Sequence, residues 1–376
     1  MLTADQIQIE DAARRFSREV LAPGAAAREK AQAIEPAVLS GLAEMGLLGM
    51  TVSPDWDGAG ADYVSYALAL MAVAEGDGAV STMMSVHNAP FCAILERYGS
   101  DAQKEAVLKP AARGEFIGAF ALTESHAGSD ASALRTRAVL KGDRYVINGA
   151  KQFITSGKIA RYVIVFAITD PENPKRGITA FLVPTSSPGF SVSKLEHKLG
   201  QKASDTASLN FDDLEVPVSL RIGAEGEGYR IALSSLESGR IGISAQAVGM
   251  AQSALDAAIR YAGERRSFGK ALLEHQAVSF RLVDAKTKLE AARQLVLSAA
   301  RMKDAGVPCL DQACMAKLFA SEVAEEVCSI AIQTFGGYGY VEDFPVERIY
   351  RDVRVCQIYE GTSDIQKIII GRSLAA

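Results

Sequence analysis

The chain has 376 residues, 48% hydrophobic and 23% charged, with a formal net charge of −5. That is an ordinary composition for a soluble globular protein of two or three domains. It offers no basic field to collect nucleic-acid phosphates, and no apolar run long enough to span a bilayer. The cysteines (Cys92, Cys309, Cys314, Cys328, Cys356) are odd in number with no CxxC, and the histidines (His87, His126, His197, His275) are scattered, so neither a disulfide framework nor a metal site is indicated. The N-terminus lacks a charged-then-apolar export signal, which points to the cytoplasm.

In chain order, a helix is predicted from Thr3 to about Ser17. Thr3 and Gln6 form a capping-box pattern at its start, and Pro23–Gly24 is expected to break it. Helical spacing recurs near Pro36–Met45, Ser65–Glu75, Ser81–Arg97 and Asp101–Arg113, giving a helical domain over 1–116. The texture changes at about Phe116. Residues 144–155 read as two strands joined by a turn at Asn148–Gly149, a strong hairpin dipeptide. Further strands at Tyr162–Ile168, Ile178–Pro184, Phe190–Lys194 and Ala207–Phe211 complete a β domain over 117–225. From about Glu227, long helices at Tyr229–Tyr261, Leu273–Asp304 and Asp311–Gln333 carry Ala, Leu, Ile and Val at three- and four-residue spacing. They make a helical bundle over 226–376.

Several stretches have the residue types that chemistry needs. Phe120-Ala121-Leu122-Thr123-Glu124, followed by Gly128-Ser129-Asp130, places hydroxyls and exposed main-chain donors together; it suits phosphate or heterocycle contacts, or a polar connector. Phe153-Ile154-Thr155 puts a ring and a hydroxyl on one strand face, either to cover a flat heterocycle or to fill a core. Gly239 inside a long helix lowers helix stability, as where another group must pass close, and Arg240 follows it. Arg265-Arg266-Ser267-Phe268-Gly269 suits a pyrophosphate or a helix C-terminus. Gln333-Thr334-Phe335-Gly336-Gly337 is a Gly-rich helix stop. Finally, Ile358-Tyr359-Glu360-Gly361-Thr362-Ser363-Asp364 sets a carboxylate between the end of one element and the start of a helix, with Ser363 and Asp364 at capping positions. It reads as a general base on a loop held by helices, or as a surface turn.

Together and in this order, these motifs resemble the acyl-CoA dehydrogenase family over essentially the whole chain. The most specific are ALTE with Gly128-Ser129-Asp130, RRSFG from Arg265, QTFGG from Gln333 and IYEGT from Ile358. The resemblance implies an α+β multidomain fold: an N-terminal α-helical domain, a middle β-barrel-like or sandwich domain, and a C-terminal four-helix bundle. It implies FAD held without a Rossmann domain. Phe120, Leu122, Thr123, Gly128, Ser129, Phe153, Ile154 and Thr155 would lie at the flavin, with Thr155 near its N5 edge. Arg265, Phe268, Gln276, Gln333, Thr334, Phe335, Gly336 and Gly337 would hold the pyrophosphate and adenosine, partly from a neighbouring subunit. Thr362, Ser363 and Asp364 would also touch FAD, and Ser129, Arg240 and Gly361 the acyl-CoA.

Glu360 would be the base for the α-proton, giving a trans-2-enoyl-CoA from a short- to medium-chain or branched thioester. Electron-transferring flavoprotein is the implied acceptor and a homotetramer the implied assembly. Some branches take the base from the position held here by Gly239; Glu237 stands two residues away from it. Ser125 replaces a frequent Pro and Phe153 a frequent Trp. A lyase, desulfinase or oxygen-using reaction on the same fold is the alternative.

Overall fold

The computed structural model describes residues 2–173 and 175–374. Helix α1 (Ala4–Phe16) starts as its sequence predicts. The Thr3 side chain accepts from the Gln6 N–H, and the Gln6 side chain accepts from the Thr3 N–H. Pro23–Gly24 does not break it. The chain passes through a π-helical turn, Ser17–Leu21, into α2 (Ala22–Ala31), where Pro23 sits in the first turn and its missing N–H costs nothing. The stop comes at Gln32, in the left-handed conformation (φ 52°).

Helices α3 (Pro36–Glu44), α4 (Tyr63–Gly76), α5 (Gly78–Val86), α6 (Ala93–Tyr98), α7 (Asp101–Gln103) and α8 (Lys109–Ala112) complete the N-terminal part. A π-helical turn at His87–Cys92, containing Pro90, joins α5 to α6. Helix α4 is apolar all round and nearly every residue in it is buried, as befits a helix enclosed on all sides.

Eight strands follow: β1 (Gly118–Ala121), β2 (Arg137–Lys141), β3 (Arg144–Thr155), β4 (Tyr162–Ile168), β5 (Ile178–Pro184), β6 (Phe190–Leu195), β7 (Thr206–Pro217) and β8 (Arg221–Ile222). They form one sheet in the order β6-β7-β3-β2-β4-β5-β8, with β1 parallel to β4. The β2–β4 link is a single pair, Arg137 with Ile168. The two halves therefore curl towards each other. Ile147, Leu209 and Leu214 from one half share a core with Val163, Val165 and Phe181 from the other.

Asn148–Gly149 is not a hairpin turn. Strand β3 runs through it and pairs with β7 on both sides of a register slip between Ile147 and Gly149. Asn148 is occupied with Asp213, donating through Nδ2 (2.9 Å) and accepting from its N–H (2.8 Å). Gly149 (φ 146°) lies so close to Thr136 that a Cβ would stand 2.7 Å from its Cα. The dipeptide's freedom serves a bulge. The tight turn lies earlier, at Gly142 (φ 63°), where Lys141 pairs with Arg144. It was hidden because β2 has one buried residue and no alternation.

The C-terminal part has three long helices, α9 (Gly228–Glu264), α10 (Gln276–Asp304) and α11 (Leu310–Phe335), then α12 (Pro345–Val353) and α13 (Ser363–Ser373). Between α9 and α10, β9 (Arg266–Ser267) and β10 (Lys270–Ala271) form a small hairpin. One continuous core runs from α4 and α5 through α9, α10 and α11. A second joins α6 to the sheet and the start of α9. The space between these bodies is where the site lies.

Candidate active site

A short turn of 3₁₀ helix, Arg354–Gln357, brings the chain to Glu360 before α13 begins. Glu360 has φ 55° and Gly361 φ 88°, two consecutive left-handed residues. A bulky side chain in that region is strained and persists only where its surroundings hold it. Here three side-chain contacts do. Gln366 Nε2 donates to the carbonyls of Glu360 (3.3 Å) and Gly361 (2.8 Å), and Lys317 Nζ donates to the latter (2.7 Å). The helix cap is Thr362, whose hydroxyl accepts from Ile365 N–H; Ser363 and Asp364 fall in the first turn rather than at the cap.

The Glu360 carboxylate lies on helix α9 at Gly239. A Cβ there would stand 2.6 Å from Oε2 and 2.9 Å from Cδ, so only glycine leaves room. Oε2 is buried with no hydrogen-bond partner, as is Nε of Arg240 on the next residue. Both residues line one cleft. Unpartnered buried polar atoms are rare, and each calls for a reason, such as a catalytic role or a bound water. Burial pushes the Glu360 carboxyl from its ordinary 4.5 up to about 7, against the opposing pull of Arg240 and Lys317. Glu237 is turned away. It accepts from Lys303 Nζ at 2.7 Å and forms no part of the cleft wall.

The cleft around Glu360 has a volume of about 780 Å³, within the range of small-molecule sites. One wall comes from the sheet: Phe120, Leu122, Thr123, Gly128, Ser129, Phe153, Ile154 and Thr155. The other comes from the helices, with Arg240, Tyr359, Glu360 and Gly361 among its members. The sheet wall is built by Glu124. Its buried carboxylate pairs with fully buried Lys151 (2.8 Å) and accepts from the N–H groups of Arg135 (2.7 Å) and Thr136 (3.1 Å). That fixes the loop carrying Gly128 and Ser129. Phe153 (φ 59°) sits in a second bulge of β3, and its ring is 60% exposed.

A second cleft, about 720 Å³, gathers Arg265, Thr334, Phe335, Gly336 and Gly337 beside Tyr261, Tyr338 and Phe344. Arg265 lies over the Tyr338 ring at 5.8 Å. Gln276, Gln333, Phe268, Thr362, Ser363 and Asp364 line neither cleft; Phe268 stands 97% exposed at the tip of the β9–β10 hairpin. Sequence reasoning missed Lys317 and Gln366. A signal existed for Lys317, the one charged side chain on the buried stripe Ala313, Ala316, Ala320 and Ala324.

The chain matches three family models: acyl-CoA dehydrogenase N-terminal domain over residues 3–115, middle domain over 119–214 and C-terminal domain over 226–375. It belongs to the acyl-CoA dehydrogenase family. It is 41% identical to the short-chain specific acyl-CoA dehydrogenase of Clostridium acetobutylicum, covering 98% of this chain and 97% of that one. It superposes with a TM-score of 0.98 on the butyryl-CoA dehydrogenase of Megasphaera elsdenii at 40% identity, covering 100% and 99% of the two chains. It does so equally, at 44% identity and 100% and 98% coverage, on a chain solved in work on the electron transferring flavoprotein of Acidaminococcus fermentans. A glutaryl-CoA dehydrogenase from Mycobacterium smegmatis, solved with FADH2, is 32% identical, with a TM-score of 0.94 and coverage of 99% and 95%.

Proposed function

We propose that this protein is an FAD-dependent dehydrogenase of short-chain acyl-CoA thioesters, with Glu360 as the base that removes the α-proton. The observation that carries the reading is the Glu360 carboxylate itself, buried, unpartnered at Oε2 and seated against Gly239 in the cleft wall. The short-chain substrate follows the relatives with that name and specificity.

The residues present fit a flavin. Ser363 Oγ is buried without a partner where the last helix begins. The exposed Phe153 ring offers an apolar face, and nothing lies within 4 Å of where a Gly128 side chain would be. Thr123, Ser129, Phe153 and Thr155 would hold the ring; Thr362, Ser363 and Asp364 would add contacts. Arg265 and Thr334–Gly337 would hold the adenosine end, with Phe268, Gln276 and Gln333 reaching it from a neighbouring subunit. Bound FAD supplies the acceptor for the β-hydrogen, which leaves as hydride.

The chain's own groups do the rest. A desolvated carboxylate is a stronger base, and one titrating near neutrality is matched to proton abstraction at physiological pH. Glu360 Oε2 takes the α-proton as the carbon–carbon double bond forms. Arg240 Nε–H is the buried donor left for the ligand, and Gly361 lets the thioester approach the main chain. The apolar side chains of Val86, Pro90, Leu236 and Ile243 line the same cleft and keep water from the carboxylate. A homotetramer in the cytoplasm, with electron-transferring flavoprotein as acceptor, completes the reading; no helix among the described residues is long and apolar enough to cross a membrane. The relatives named short-chain and butyryl-CoA dehydrogenases favour dehydrogenation over a lyase, desulfinase or oxygen-using reaction.

The test is anaerobic titration of the FAD-loaded protein with acyl-CoAs of increasing chain length, following flavin absorbance. Bleaching is expected with butyryl-CoA and weaker with long chains. A flavin that no saturated acyl-CoA reduces would overturn the reading.

A further inference from the structure

Among the described residues two lysines are fully buried, Lys151 and Lys317, and only the first has a carboxylate partner. Lys151 pairs with Glu124 at 2.8 Å, and half-buried Lys303 pairs with Glu237 at 2.7 Å. Lys317 is 0% exposed, yet among the described residues its Nζ has no carboxylate within ion-pair distance; its bond is to the Gly361 carbonyl at 2.7 Å. An unpaired buried ammonium is expensive. A methionine or leucine on the same stripe of α11 would pack at no such cost.

The position explains the cost. The carbonyl that Lys317 holds belongs to the second residue of the left-handed Glu360–Gly361 turn. Gln366, also fully buried, holds the same carbonyl and that of Glu360. The groups facing Glu360 and Lys317 come from four elements. They are Arg240 on α9, Cys314 on α11, Tyr66 on α4, and Cys356 with Tyr359 on the segment before the turn. Only Arg240 and Lys317 in this set bring positive charge.

We propose that Lys317 is a positioning residue for the dehydrogenation, its buried ammonium clamping the Glu360–Gly361 turn and serving as the fixed counter-charge of the catalytic carboxylate. Burial brings the Lys317 ammonium down to about 8, with Cys356 and Glu360 opposing that fall, so it remains largely charged at neutral pH. Gln366 is its neutral complement and holds the turn without adding charge. The inference rests on the reading of Glu360 as the base.

The experiment uses the full-length, FAD-loaded protein and Lys317→Gln. The Glu360 carboxyl stretch is isolated as an infrared difference against Glu360→Gln and followed with pH. The same preparations are assayed with butyryl-CoA. In Lys317→Gln the Glu360 midpoint is expected to rise by about one pH unit. The acid limb of kcat/KM should move with it, while KM changes less than about twofold. A folded, FAD-loaded variant with an unmoved midpoint would overturn the proposal. If Lys317→Gln does not fold, Gln366→Met tests the clamp. It should lower kcat about tenfold and leave the midpoint in place, and unchanged turnover would count against the clamp. The infrared titration needs no turnover. An inactive wild type whose Glu360 midpoint still shifts on loss of Lys317 would therefore fault the acyl-CoA reading and not the charge coupling.

Discussion

Replacing Gly239 by alanine sets stability against activity. The added methyl would stand 2.6 Å from Glu360 Oε2, 2.9 Å from Cδ and 3.2 Å from Oε1. Ordinary contact begins at 3.4 Å, so the carboxylate must retreat by about 0.8 Å. It is the end of a flexible side chain and can do so without disturbing helix α9. Alanine in a helix interior gains about 1 kcal/mol over glycine. The variant should therefore melt no lower than wild type and bind FAD as well. A base displaced by that distance costs on the order of a hundredfold in rate. Steady-state kinetics with butyryl-CoA should show kcat reduced about a hundredfold, with KM within about threefold. Wild-type turnover in Gly239→Ala would refute the claim that Glu360 reacts from its seat on Gly239.

Three further outcomes follow from the same geometry. The free-enzyme base is held at about 7, so kcat/KM should fall as pH drops below that value, since protonated Glu360 accepts nothing. Folding stability has the same origin. A carboxyl raised from 4.5 to about 7 binds a proton more tightly in the folded chain, so ionisation costs stability as pH rises through that window, about 3 kcal/mol when complete. Glu360→Gln cannot ionise; in calorimetry it should melt above wild type at pH 8, with the gap closing towards pH 4.5. Glu237→Gln should keep turnover within about threefold, because that carboxylate is engaged with Lys303 outside the cleft wall.

Much of this was legible in the residues because local chemistry and fold agree there. Thr3 with Gln6 caps the first helix as written, and the apolar run at Tyr162–Ile168 is β4 to the residue. Gly239 was readable as a cost awaiting a reason, which the Glu360 carboxylate supplies. Other signals were ambiguous because one conformation serves two structures. Asn-Gly fits a hairpin turn and a bulge alike, and pairing with β7 decided for the bulge. Pro23 ends a helix in isolation but opens one after a π turn. What holds Glu360 was harder to read: Lys317 shows only as the one charge on the buried stripe of α11, Gln366 carries no pattern, and they reach the turn across the fold and from the following helix.

The most direct test of the account is a single-turnover experiment. FAD-loaded wild type and Glu360→Gln are mixed anaerobically with butyryl-CoA, unlabelled or deuterated at the α-carbon, and flavin absorbance is recorded. Wild type should bleach, more slowly with the deuterated thioester, while Glu360→Gln keeps its yellow flavin and does not bleach. Bleaching of Glu360→Gln at the wild-type rate would show that another group takes the α-proton.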